Sequence, residues 1–411
     1  MADSKALQAS ERLIRILTCM MFFMFAMTTD AVGSIIPSLI DEFGLSLSAA
    51  SAFHYVPMIA IALGGLCFGF LADRLGRKYS IVLGLLLYGT GSLLFIFGSS
   101  FGFFVLLLAL SGVGVSVFKV GALALVGDIT RSPREHTSLM NTVEGWFAVG
   151  AIVGPALVAT LLEAGLSWTW LYVAATGICG LLTLAATRVQ YPRVQRESET
   201  PASLAQTLAL LKNPYALGFS GLIMMYVAVE VAIYVWMPTW LAGYDGSLPW
   251  LATWALTLFF TLRAAGRFIG AWLLQRLAWD QVLVVLSLAI LLCFAGSLAG
   301  GEAWALWLLP LSGLFMSVVY PTLNSKGISC FGHGEHGAIA GLILFFTAFA
   351  AAVGPLAMAA LSDALGDIRY GFMLATGFAL LLFLGLLWNW LMQPAAGRLA
   401  AAVQYGMSGE I

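Results

Sequence analysis

Charge is what this chain has least of. Asp, Glu, Lys and Arg make up 9% of its 411 residues, where ordinary soluble domains carry roughly 25%. With 61% apolar residues it cannot cover a surface in water, which excludes the two or three soluble domains that length alone would allow. Cysteine is scarce too: Cys19, Cys67, Cys179, Cys293 and Cys330 lie in or beside apolar stretches. No polar loop carries a pair, which argues against a disulfide framework, and no metal-ligand spacing appears. Of four histidines, only His54 falls in an apolar stretch, while His136, His333 and His336 fall in loops. A membrane-embedded enzyme would need a nucleophile with its base, or a metal cluster, and neither is visible. No catalytic residue, metal or other cofactor is therefore expected, nor a nucleic-acid partner.

What the chain has instead is long apolar runs. Twelve helices are expected at about 13–40, 49–72, 80–99, 103–127, 138–162, 168–187, 214–241, 249–275, 281–299, 303–327, 337–362 and 370–392, each near the ~20 residues that cross a ~30 Å hydrocarbon core. The first run is too long for a signal-peptide core, has no small-residue cleavage site after it, and is expected to stay as the first span. The net charge of −1 hides a segregation. With the N-terminus inside, fifteen Lys and Arg fall on one side, among them Arg12, Arg15, Arg74, Arg77, Lys78, Arg131, Arg188 and Lys212, and only Arg369 on the other. The positive-inside rule then places both termini in the cytoplasm of a multi-pass inner-membrane protein.

The chain also repeats itself. Leu110-Ser111-Gly112 returns as Leu311-Ser312-Gly313 and Ser116-Val117 as Ser317-Val318, both at an offset of 201. Val153-Gly154-Pro155 returns as Val353-Gly354-Pro355 at 200, and Pro37 finds its counterpart in Pro238. A nearly constant offset over six spans keeps the orientation, so the halves are a parallel duplication, with substrate sites expected between them near the midplane. The expected organisation is an N-terminal six-helix bundle at 1–187, a polar cytoplasmic linker at 188–213, and a C-terminal six-helix bundle with a short tail at 214–411. Within the linker, 203–212 has the pattern of a short amphipathic surface helix.

The turn after the second span, Gly69 to Lys78 (GFLADRLGRK), resembles the signature loop of the major facilitator superfamily, with a degenerate copy near Arg276. The resemblance covers nearly the whole chain. It implies two six-helix bundles with nested inverted repeats, a protein sufficient as a monomer, and solute transport by alternating access. Tyr320-Pro321-Thr322 with Gly327, and Gly266-Arg267-Phe268 with Gly270, are similar to the fucose/glucose–galactose symporter branch. Where that branch keeps an acid in its fourth span, this chain has Lys119. The resemblance makes Asp73, Arg74, Gly76, Arg77 and Lys78, with Asp128, a cytoplasmic latch of the outward-open state. Gly150 to Pro155 is similar to a motif linked to antiporters, but its duplicate Gly354-Pro355 favours packing and kinking, because small residues let helices approach.

An ionisable group at membrane depth is a functional candidate by default. Asp30, Lys119, Glu144, Glu230, Arg263 and Arg267 qualify, three acids facing three bases. Asp30 and Glu230 are repeat-related, as are Lys119 and Tyr320. Asp30 and Lys119 are expected to pair, with Asp30 carrying the proton and Glu144, Glu230 and Arg263 completing the site. A permanent structural salt bridge is the alternative. Arg267, nearer the cytoplasmic end, suits bracing its span. Asn141 and Asn324 are candidates because a buried amide needs a partner. Tyr226, Tyr234, Trp236 and Trp146 offer faces for a sugar ring, while Trp240 and Trp250 suit an interfacial belt; His54 suits a structural role. The reading is proton-coupled transport of a sugar or related small polar solute. A proton-antiport exporter of drugs or organic anions is the alternative, and Lys119 with Arg263 narrows the gap. A channel is disfavoured, because scattered charges make no ring around a pore.

Overall fold

Hydrocarbon offers a peptide group no hydrogen bond, so an apolar run that crosses it must satisfy its own backbone, and a helix does so within one segment. The computed structural model describes residues 2–68, 76–129, 133–189, 191, 209–331 and 336–399, with some side chains near the ends of these stretches left out. Among the described residues the regular elements are helical. They are α1 (Ala2–Thr29), α2 (Val32–Phe43), α3 (Leu47–Ala50), α4 (Ala52–Phe68), α5 (Arg77–Leu94), α6 (Phe101–Ile129), α7 (Pro133–Glu163), α8 (Trp170–Arg188), α9 (Pro214–Leu241), α10 (Pro249–Leu274), α11 (Trp279–Met316), α12 (Val319–Ser329), α13 (His336–Leu365) and α14 (Ile368–Met392).

Among them, ten stretches are long and apolar enough to cross a membrane. One, Trp279–Ser329, holds 51 residues, too many for a single pass at ~1.5 Å each. Its break is Gly301, whose φ of 64° favours a residue without Cβ. A Cβ on Gly296 would stand 2.7 Å from Leu308 Cδ1, so the chain doubles back there and makes two passes. With α10, which carries Arg263 and Arg267, the passes number twelve.

Two expected spans are interrupted. The apolar pattern predicts one helix over 13–40, but α1 ends at Thr29 and α2 begins at Val32. Ser34 N–H bonds Ala31 O at 3.0 Å, a tighter turn that takes it from its helical acceptor, the carbonyl of Asp30. The tenth pass breaks between Met316 and Val319, and here the cause is Pro321. Its ring clashes with the carbonyl four residues back and supplies no N–H to it, and that carbonyl belongs to Ser317.

The chain divides into two compact units, Met1–Arg196 and Glu197–Ile411, and each has the same internal packing. In the first, α1 packs on α7, α4 on α6, and α5 on α8; in the second, α9 packs on α13, α10 on α11, and α11 on α14. Repeat-related glycines sit at equivalent contacts. A Cβ on Gly112 would stand 2.8 Å from Pro57 O, and one on Gly313 2.5 Å from Phe259 O. The linker stretch 203–212 lies mostly outside the described residues; its end, Leu210–Lys212, is a 3-10 turn.

The glycine–proline copies differ in tightness. A Cβ on Gly154 would overlap the Met27 carbonyl, whereas one on Gly354 would meet Ala228 at 3.5 Å, an ordinary contact. Gly154→Ala is therefore expected to lose about 1–3 kcal/mol, the cost of overpacking, and Gly354→Ala to stay near wild type. Thermal unfolding of the purified variants checks both. Pro355 is tied down separately, because Trp236 Nε1 donates to its carbonyl at 3.1 Å.

Candidate functional site

In the second unit the charged residues close on each other. Glu230 projects from the middle of α9 and Arg263 from α10, and they form a salt bridge through Glu230 Oε1 with side-chain exposures of 9% and 21%. Tyr226, one turn before Glu230, shares its hydroxyl proton between Glu230 Oε1 at 3.1 Å and Met316 O at 2.9 Å. The second acceptor lies at the C-terminal end of α11, at the break set by Pro321. Tyr226 thus ties the carboxylate to a kinked helix, and its ring lies 6.3 Å from that of Tyr320. Tyr320 reaches Thr347 Oγ1 at 3.5 Å. Asn324, one turn beyond Tyr320 on α12, is half-buried. Tyr226→Phe should cost about 1–3 kcal/mol, because it strips buried acceptors of their donor; thermal unfolding measures it.

In the first unit Asp30 and Glu144 both act on Lys119. Asp30 occupies the two-residue break between α1 and α2, half-buried. Its Oδ1 accepts from Thr29 Oγ1 at 3.3 Å, although that hydroxyl also has Phe25 O at 3.0 Å. The neighbouring Thr28 hydroxyl is 2.6 Å from Tyr88 OH. Lys119 Nζ lies 5.0 and 5.6 Å from the ring centroids of Phe25 and Phe22, within cation–π range. The carboxylates that attract it are Glu144 first and Asp30 second. Glu144 is exposed on α7, and Asn141, one turn earlier, has its side chain outside the described residues.

The aromatic candidates separate by burial. Tyr226 and Trp236 are each 1% exposed and spend their polar atoms inside the second unit, so neither presents a face. Trp240 corrects the belt assignment: it is buried on Phe372 at 4.5 Å between centroids, because α9 is buried along nearly its whole length. Trp250, at 57% exposed, and Trp146, at 41%, remain open.

Of the signature loop, Gly69, Asp73 and Arg74 lie outside the described residues, as does the side chain of Asp128. Gly76 has φ 81° and ψ 161° and precedes α5, a conformation close to glycine-only. Lys78 Nζ donates to Thr187 O at 2.6 Å, placing a cation on the exposed carbonyl end of α8, where the helix dipole favours it. Sequence reasoning missed that contact, and it missed the Thr28–Tyr88 bond. The available signal was a tyrosine standing alone among the small and apolar residues of the third span.

The model of the Major Facilitator Superfamily matches residues 18–355. A glucose/galactose transporter of Brucella abortus biovar 1 (strain 9-941) is 26% identical over 386 residues, 90% of this chain and 92% of that one. The L-fucose-proton symporter of Escherichia coli (strain K12) is 24% identical over 401 residues, 86% of this chain and 87% of that one. A crystal structure of the nucleoside transporter NupG, as a point mutant, matches with a TM-score of 0.75 at 14% identity, over 92% of this chain and 99% of that one, a likeness of fold alone.

Proposed function

Because the chain belongs to the major facilitator superfamily, we propose that it carries a sugar or related small polar solute across the inner membrane by alternating access, coupled to a proton, with both termini cytoplasmic. It is a multi-pass membrane transporter and not an enzyme. The observation that carries the sugar reading is likeness over about nine-tenths of both chains to proteins named for glucose, galactose and fucose.

The charge balance supports Asp30 as the proton carrier. At membrane depth the first unit has two acids, Asp30 and Glu144, against Lys119, whereas the second has Glu230 against Arg263 and Arg267. Glu230 is bonded to Arg263 and Tyr226. Glu144 is exposed. Asp30 shares Lys119 with Glu144 and sits where the helix is broken. Losing and regaining a proton there changes the charge beside Lys119, which supplies the differential interaction that a switch between two states needs.

Export of organic anions by antiport is the second reading, favoured by Lys119, an ammonium held against aromatic rings. Uptake of D-glucose, D-galactose and L-fucose into proteoliposomes under an imposed pH gradient separates the two. The symport reading expects at least one sugar to accumulate with the gradient and not without it. Accumulation of none contradicts that reading.

A further inference from the structure

We propose that the groove between the start of α9 and the end of α14 seats one anionic phospholipid, with an acyl chain along its apolar wall and the phosphate on Lys212 and Arg398. The groove measures about 370 Å³, within the ~300–1,000 Å³ of ligand-binding clefts. Tyr215, Gly218, Phe219 and Leu222 line it from α9, and Trp388 and Asn389 from α14. Apart from Tyr215, Trp388 and Asn389, the side chains that line it carry no polar atom. A Cβ on Gly218 would meet nothing within 4 Å, so the α9 wall is open at that point. Asn389 calls for a ligand: it is 8% exposed, it faces the groove, and its side-chain amide has no hydrogen bond to another described residue. A buried amide without a partner is costly, and the ester and phosphate oxygens of a phospholipid are acceptors for its N–H groups.

The charge at the mouth fits an anion. Lys212 stands two residues before α9 and Arg398 six residues after α14. Both are exposed, and neither has a carboxylate at salt-bridge distance among the described residues. The Arg398 guanidinium lies over the Tyr215 ring, 4.4 Å from its centroid. Stacking uses the face of the guanidinium and leaves its N–H edge, which is the part that bonds phosphate oxygens. Lys326 adds a third cation at this end, for it and Arg398 both act on the Cys330 thiol. The adjoining cleft, which shares Asn389, holds one carboxylate, Asp280. Its Oδ1 already accepts from Gln281 N at 2.9 Å, at the start of α11. Depth agrees as well. Trp388, 58% exposed, lies one turn before the end of α14, where an indole sits at headgroup level. The apolar wall then faces hydrocarbon and the cations face phosphate, the arrangement of basic pockets that hold lipid head groups.

The site does not depend on the solute carried or on proton coupling, and lipid binding tests it directly. Native mass spectrometry follows the delipidated protein as phosphatidylglycerol, or phosphatidylcholine with the same chains, is added. The wild type is expected to take one phosphatidylglycerol at least about tenfold more tightly than phosphatidylcholine, given two basic contacts worth about fivefold each. Arg398→Gln should weaken phosphatidylglycerol about fivefold and leave phosphatidylcholine unchanged. Gly218→Leu puts a side chain into the groove and should abolish the tight phosphatidylglycerol. Arg369→Gln, which removes an exposed cation paired with Asp367, is the control and should bind as the wild type does. Equal affinity of the wild type for the two lipids overturns the proposal. Wild-type affinity in both Arg398→Gln and Gly218→Leu also overturns it, and would give the groove to another occupant, residues 400–411 of this chain among them. Equal weakening by Arg369→Gln and Arg398→Gln overturns it too, because the preference would then follow net charge alone.

Discussion

Arg263→Ala is expected to lower stability by about 3–5 kcal/mol, the range for breaking a buried ion pair by removing one partner, and Glu230→Gln in that background to recover most of the loss. The loss is not the value of the attraction itself. Taking a guanidinium and a carboxylate out of water costs nearly what their attraction returns, so the intact pair contributes little net. Removing Arg263 alone leaves Glu230, 9% exposed at its side chain, as a buried carboxylate whose remaining partner among the described residues is the Tyr226 hydroxyl. An amide at 230 removes that charge. Arg267→Ala serves as the control: Arg267 is half-buried on the same helix, nearer its C-terminal end. It should cost less than Arg263→Ala. Unfolding of the purified proteins, followed by intrinsic tryptophan fluorescence, reads all four.

Asp30→Asn is expected to abolish gradient-driven accumulation, by about 100-fold or more, while sugar exchange at equal pH survives. The amide keeps the size of the side chain and can still accept from Thr29 Oγ1, now 3.3 Å from Oδ1, so the break between α1 and α2 is retained. What it cannot do is change charge. With Asp30 as the coupling group, its loss leaves nothing to carry the proton, and loss of a positioned proton-transfer group costs roughly 10²–10⁴. Lys119→Met separates charge from packing at the same place: it keeps a long apolar stem over Phe22 and Phe25 and leaves Asp30 and Glu144 without their cation. It should reduce accumulation as well.

Much of this was legible in the sequence because lipid allows few structures. Apolar runs near twenty residues give the passes, and the 200-residue offset gives the equivalence of α1–α7 packing with α9–α13 packing. Asp30, Lys119, Glu230 and Arg263 stood out because charge is so rare in the chain. What escaped has physical reasons. The break at Asp30 leaves no mark in hydropathy, since the run stays apolar through Val32 to Ile36. The break at Ser317 was written in Pro321, four residues on. Trp240 near a helix end reads as an interfacial anchor until the neighbour that buries it, Phe372, is known to be 132 residues away. Gly154 and Gly354 are identical in sequence context, and only the distance to the facing helix separates a forced glycine from a tolerant one.

The most direct measurement is the pH inside proteoliposomes containing the wild-type protein as D-galactose or L-fucose is added outside, at equal starting pH and with the membrane potential clamped. The account predicts that the lumen acidifies as sugar enters, and that the signal vanishes in Asp30→Asn. Sugar entry without acidification, or acidification that persists in Asp30→Asn, would contradict it.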